Sequence, residues 1–316
     1  MPRVTDRLLV SLPSTSDVAL RIAARQWEST SDLCCRSRAR IQNVLLGGDH
    51  NYALERTWCA NQKRTLPSLQ CVYREERAFL QRAVRFATEE RGLRRFLAIG
   101  TGLPYVDAVH DPVLTYDSGR VVYVDDDQIV LAHLDLLADK RPEIDAVAGT
   151  LLVPGTVLFD DATQRLLAPQ DPICLVLCGV LETVKDTDEL AAAVQDYTDR
   201  LPAGSLVIVS HATVDGLDPQ DATDRALAES MREVCKAYAD KHAPQRHLRT
   251  AEELRHILSG LDLIDPGITY TTGWRPAQSA KARRHAESLF LAAVAVVPET
   301  RTLPTDAATS SLGTRR

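Results

Sequence analysis

Apolar positions fall into two regimes along the chain. Before Tyr73 the pattern is irregular, with a predicted helix near Asp17–Trp27 and a glycine turn at Gly47-Gly48. From Tyr73 onward, helical and strand patterns alternate. Phe79, Leu80, Ala83, Val84 and Ala87 share one face of a predicted helix over Arg74–Arg91. Short apolar runs over Arg95–Ile99, Arg120–Asp125, Ile144–Gly149, Pro172–Val180, Gly204–Ala212, Ile264–Thr272 and Leu289–Val297 predict seven strands. Helices are predicted between them at Gln128–Asp139, Val157–Ala168, Thr187–Leu201, Pro219–Ala239 and Thr250–Gly260, the last opened by a Thr250/Glu253 capping box. Strands joined by helical crossovers imply an α/β fold with a doubly wound, mostly parallel sheet covered on both faces and an antiparallel edge. The expected organisation is an N-terminal segment over residues 1–72, an α/β domain over 73–298, and an unstructured Thr/Ser/Ala/Arg-rich tail from 299 to 316.

Composition narrows the partners. The 316 residues are 45% hydrophobic and 25% charged, with a formal net charge of -6, which argues against a broad nucleic-acid-binding face. No apolar run reaches the ~18 residues that span a bilayer, and the N-terminus lacks the features of a secretory signal, so a cytoplasmic, membrane-free location is expected. Seven cysteines without framework spacing fit reduced thiols. Cys174 and Cys178 read as small core residues, and no CxxC pair or CxxC–His grouping points to a metal.

In open α/β sheets a ligand sits beyond the carboxyl ends of the strands, at the switch in strand order. The first regular strand ends in Ile99-Gly100-Thr101-Gly102, whose glycines allow a tight turn and close backbone approach. The second ends in Asp125-Asp126-Asp127. Asp125 lies where a carboxylate accepts both hydroxyls of a ribose, while Asp127 better suits a helix N-cap. A dinucleotide site would want a third glycine where Tyr105 stands, and Pro104 interrupts the usual course into the helix, so a cofactor without phosphates fits better than NAD.

These stretches, together with Leu45–Tyr52, Arg77-Ala78-Phe79-Leu80, Val130-Leu131-Ala132-His133, Leu206–Thr213 and Trp274-Arg275-Pro276, resemble the actinobacterial S-adenosylmethionine (SAM)-dependent methyltransferase family of unassigned substrate. The resemblance covers roughly residues 38–298 and implies a class I, Rossmann-like methyltransferase fold with an N-terminal helical lid. It implies SAM contacts from Gly100, Thr101, Gly102, Asp125 and Asp126, with Thr150 and Leu151 at the adenine. The Gly47–Tyr52 segment, Asn51 included, would act as the lid. Arg77 would be a partner for the methionine carboxylate, or else a surface helical arginine. The chain departs from the family pattern at Ala98 and Thr150, where the family carries Asp. It also departs at Asp49-His50, Glu76 and Glu182-Thr183. Lost charge-assisted bonds at positions 98 and 150 imply weakened or lost SAM binding.

Candidate acid–base residues are His50, Glu182 and His211, with His211 also readable as a structural histidine. The implied activity is methyl transfer to a small-molecule acceptor, in specialised metabolism. Two alternatives stay open from the sequence: a methyltransferase scaffold catalysing another reaction, and a non-catalytic pseudo-methyltransferase.

Overall fold

A computed structural model describes residues 35–168, 170–239, 245–276 and 285–299. The helix expected near Asp17–Trp27 and the tail beyond residue 299 lie outside them. One eight-stranded sheet organises the chain, in the order β3-β2-β1-β4-β5-β8-β6, with the short β7 also paired to β8. Strands β1 (Arg95–Ile99), β2 (Arg120–Asp125), β3 (Ile144–Ala148), β4 (Cys174–Cys178) and β5 (Leu206–Ala212) run parallel. β8 (Phe290–Val296) enters antiparallel beside β5, and β6 (Asp262–Leu263) and β7 (Thr269–Tyr270) pair antiparallel to it.

Side-chain alternation builds a core on each face of the sheet. Phe96 and Ala98 of β1 point to one layer, with Tyr123, Val176 and Ile208. There they meet α3 (Leu69–Arg85) through Phe79, Leu80, Ala83 and Val84, and α5 (Gln128–Ala138) through Val130, Leu131 and Leu134. Leu97 and Ile99 point to the other layer, where α8 (Thr187–Asp199) supplies Leu190, Val194 and Tyr197 and α10 (Ala251–Ile257) supplies Leu254 and Ile257. A third cluster joins α1 (Arg38–Leu46), α2 (Ala53–Thr65), the first turns of α3 and α9 (Ala222–Ala237) around Ile41, Trp58, Tyr73 and Met231. Helix α3 thus belongs to two cores and ties the N-terminal helices to the sheet.

Several elements depart from the sequence reading. The strand expected over Ile264–Thr272 is two short pieces, β6 and β7, because Pro266 brings no N–H to a ladder and Gly267 turns the chain. The helix expected over Val157–Ala168 is split into α6 (Pro154–Leu158) and α7 (Asp161–Leu167), the second begun by Asp160 accepting the Ala162 N–H at 2.8 Å. Helix α3 starts at Leu69, and its end passes into a π-helical turn over Phe86–Glu90. A four-residue helix, α4 (His110–Val113), lies between β1 and β2. No described helix is long and apolar enough to cross a membrane.

Candidate functional site

Beyond the carboxyl ends of the parallel strands lies a cavity of about 590 Å³. It sits where β1 and β4 separate strands running to opposite edges of the sheet, as expected for a ligand crevice. One wall is the turn after β1. Gly100 (φ 63°) and Gly102 (φ 80°) are both left-handed. A Cβ at Gly100 would stand 2.6 Å from Val180 Cγ2, and one at Gly102 2.5 Å from Gln42 Oε1. Only glycine allows this loop to pass so close to α1 and to the chain after β4.

Asp125 ends β2 and lines the cavity at 9% exposure. One carboxylate oxygen accepts the Asp127 N–H at 2.9 Å. Burial nevertheless pushes its carboxyl up to about 7, and the charges of Asp127 and Asp126 add to the rise. Asp127 caps α5, accepting the Ile129 N–H at 2.9 Å, and its other oxygen accepts the Ser37 hydroxyl at 2.6 Å. Ser37 in turn caps α1 by accepting the Arg40 N–H at 3.3 Å. The two helix starts are therefore latched together beside the cavity. Asp126 also lines the cavity but is largely exposed, 3.7 Å from the Arg38 guanidinium. Thr150 and Leu151 form part of the wall after β3, the first exposed and the second buried.

Other residues singled out from the sequence lie elsewhere. Arg77 is buried and does not line the cavity; it donates to the Thr101 carbonyl at 3.1 Å, holding the glycine loop from behind. The surface-helix alternative for Arg77 is therefore corrected, because the loop carbonyls draw the guanidinium inside. Thr101 is itself buried and contributes that carbonyl. Asn51 braces its own turn, donating to Asn43 Oδ1 at 2.9 Å and to the Gly48 carbonyl at 2.8 Å. His50 stacks on Tyr105 with ring centroids 3.8 Å apart, and the Tyr105 hydroxyl bonds His133 Nδ1 at 2.8 Å. This pins the Gly47–Tyr52 turn onto the outer side of α5.

Glu182 and His211 are fully buried, and neither lines the cavity. Glu182 Oε1 accepts the Ala212 N–H at 3.1 Å. His211 Nε2 meets Arg249 Nη1 at 2.9 Å, and Nδ1 meets the Ala212 carbonyl at 2.8 Å. A guanidinium only donates, so Nε2 accepts and Nδ1 carries the proton. Burial holds the His211 pKa below its ordinary value, which keeps that neutral form. Glu76, also buried, accepts the Ser210 hydroxyl at 2.7 Å, and burial raises its carboxyl above the usual range. Gln42, Val180 and Arg246 also line the cavity, and the sequence reading assigned none of them to a ligand site. The one local hint for Arg246 is its place three residues before Arg249, just ahead of the Thr250 capping box. Among the described residues, no group of three or more His, Cys, Asp or Glu is placed to hold a metal.

A 3-2-1-4-5 parallel sheet with an antiparallel strand inserted beside β5, and a glycine loop facing a carboxylate at the end of β2, define the class I methyltransferase fold. The chain belongs to the S-adenosyl methyltransferase family, whose model matches residues 25–298. It is similar to a DUF574 family protein from Streptomyces avermitilis at 30% identity, with 84% of this chain and 99% of that one covered and a TM-score of 0.75. It is also similar to a candidate methyltransferase from Thermobifida fusca at 27% identity, covering 86% of this chain and 99% of that one, TM-score 0.74. No curated protein sequence matches the chain.

Proposed function

We propose that the cavity binds SAM and that the protein methylates a small molecule there. The observation that carries this reading is Asp125. It is a buried carboxylate in the cavity wall with one backbone donor among the described residues and a pKa pushed up to about 7, so added hydroxyl donors would stabilise its charge. A ribose offers two such donors. The volume falls within the ~300–1,000 Å³ of small-ligand sites. The left-handed glycines let the backbone approach a ligand with no Cβ in the way.

Asp125 would hold the ribose, Gly100 and Gly102 would pass beneath the ligand, and Thr150 with Leu151 would border the base. When bound, the cofactor supplies a methyl group already activated on sulfur. What remains for the chain is alignment and exclusion of water. The Ser37–Asp127 and Arg38–Asp126 contacts keep α1 over the cavity, which favours an acceptor small enough to enter it. A setting in specialised metabolism rests on the family resemblance alone. His50, Glu76, Glu182 and His211 do not line the cavity, and this speaks for methyl transfer over a repurposed acid–base site.

Isothermal titration calorimetry of the full chain with S-adenosylhomocysteine tests the reading. Micromolar binding that Asp125→Ala removes is expected. Absence of binding at millimolar ligand would refute it, and with it any loss-free inheritance of the cofactor site despite Ala98 and Thr150.

A further inference from the structure

Arg246 is a buried cation in the cavity wall for which the reading above has no use. It is 6% exposed. Nη1 donates to the Tyr73 hydroxyl at 2.8 Å and Nη2 to the Gly179 carbonyl at 3.3 Å. The rings of Tyr238 and Tyr73 lie 4.7 and 5.6 Å from its Cζ. The two tyrosine hydroxyls bond each other at 2.6 Å. The guanidinium is therefore fixed before any ligand arrives, while its Nε has no partner among the described residues.

The neighbouring arginines are engaged differently. Arg249 places all five N–H groups, on Thr187 Oγ1, His211 Nε2 and the carbonyls of Leu181, Val184 and Lys185. Arg40 is paired with the buried Glu55 at 2.9 Å, and Arg38 faces Asp126. Arg77 holds a loop carbonyl away from the cavity. Arg246 has no carboxylate within ion-pair distance among the described residues, although it borders the cavity; the buried Glu182 and Glu76 act on its charge only from farther off.

Its place in the wall is beside the glycine loop. Gly179, whose carbonyl it holds, precedes Val180, the residue packed against Gly100. Gln42 reaches both strand ends: a Cβ at Gly102 would lie 2.5 Å from its Oε1, and one at Gly179 would lie 3.7 Å from its Nε2. A ligand lying over Gly100 and Gly102 thus has Arg246 at the adjoining β4 wall. A buried guanidinium gains most from a planar carboxylate, which it meets with two charge-assisted bonds.

We propose that Arg246 binds the α-carboxylate of the cofactor's amino-acid arm at the wall shared by Gly100–Gly102 and Gly179–Val180. This inference rests on the SAM reading of the cavity. It places the carboxylate anchor in the segment before α10, in place of Arg77 on α3.

Calorimetry on the full chain with two probes tests it. S-adenosylhomocysteine carries the amino-acid arm, whereas 5′-methylthioadenosine shares its purine, ribose and thioether but lacks that arm. Arg246→Met is expected to weaken S-adenosylhomocysteine by about 10- to 100-fold and to leave 5′-methylthioadenosine unchanged, with Arg246→Lys in between. Equal weakening of both probes would assign Arg246 a purely structural role, and unchanged S-adenosylhomocysteine binding would remove it from the site; either overturns the proposal. A control needs no variant: the wild type should bind S-adenosylhomocysteine about 10- to 100-fold more tightly than its decarboxylated analogue, and equal affinities overturn the proposal. Wild-type protein that binds neither probe would overturn the SAM reading itself, and this inference with it.

Discussion

Replacing Asp125 with Asn separates the ligand's need for a charge from the fold's aversion to it. The carboxyl sits at about 7 against an ordinary 3.8, chiefly through burial. The gap of roughly 3 pK units corresponds to on the order of 4 kcal/mol for ionising it in the folded, empty protein, an upper bound. Because the folded pKa is the higher one, this group's contribution to stability is fully present below about pH 4 and is lost as pH rises through 7. Asp125→Asn should therefore raise the melting temperature at pH 8 and change it little at pH 4. Ligand binding runs the other way. Ribose hydroxyls donate, so they favour the ionised carboxylate, of which only about a tenth remains at pH 6. S-adenosylhomocysteine affinity should fall about tenfold between pH 8 and pH 6 in the wild type. In Asp125→Asn it should be flat with pH and about 10- to 100-fold weaker at pH 8. Calorimetry at pH 6, 7 and 8 reads both effects. A wild-type affinity independent of pH, or an equal slope in Asp125→Asn, would refute the assignment of the buried carboxylate to the ligand.

Three further substitutions probe the supports of the site. Gly100→Ala places a Cβ at φ 63° and 2.6 Å from Val180; it should cost about 2 kcal/mol or more of stability and abolish S-adenosylhomocysteine binding, whereas wild-type affinity would show the loop to be uninvolved. His211→Phe leaves Arg249 Nη1 and the Ala212 carbonyl short of a partner; urea denaturation should show a loss of about 2–4 kcal/mol with ligand affinity retained, and the reverse pattern would restore His211 as a functional candidate. Arg40→Met strands the fully buried Glu55 carboxylate and should cost about 3–5 kcal/mol; a change under 1 kcal/mol would mean that the latch between α1 and α2 lies elsewhere.

What the sequence reveals follows from which residues obey a simple period. The parallel strands stand out because a strand buried on both faces is a near-continuous apolar run, as in Cys174–Cys178 and in residues 206–209 of β5. The Gly100/Gly102 turn and Asp125 are legible for a related reason: a positive φ and a strand-end carboxylate occupy fixed places in this topology. Helix α1 is not legible. It buries Arg40, Gln42 and Asn43 along with Ile41 and Leu45, so no polar face opposes an apolar one. Its polar side chains serve the cavity and the Glu55 contact, and a hydrophobic period registers neither. Arg246 escapes because its hydrogen-bond partners Tyr73 and Gly179 are distant in sequence.

Glu76, Glu182 and His211, which looked chemical in the sequence, are buried behind the cavity wall and tie its supporting segments together. Methyl transfer from an activated donor depends mainly on alignment, so a rigid wall contributes more than a base poised at neutral pH. Glu182 ties the turn after β4 to the Ala212 N–H at the end of β5, and Arg249 joins that turn to His211 through the Leu181 carbonyl. Ser210 on β5 is tied to Glu76 on α3, the helix whose Arg77 grips the Thr101 carbonyl. The Glu182, Arg249–Leu181 and Arg77 links end at residues 100–102 or 179–184, the two segments on either side of the switch between β1 and β4, and the Ser210–Glu76 bond ties β5 to the helix that carries Arg77. Loss of any one link leaves a buried polar group unpaired, a penalty of about 1–3 kcal/mol. The polar network therefore braces from behind the two segments in which Val180 packs against Gly100.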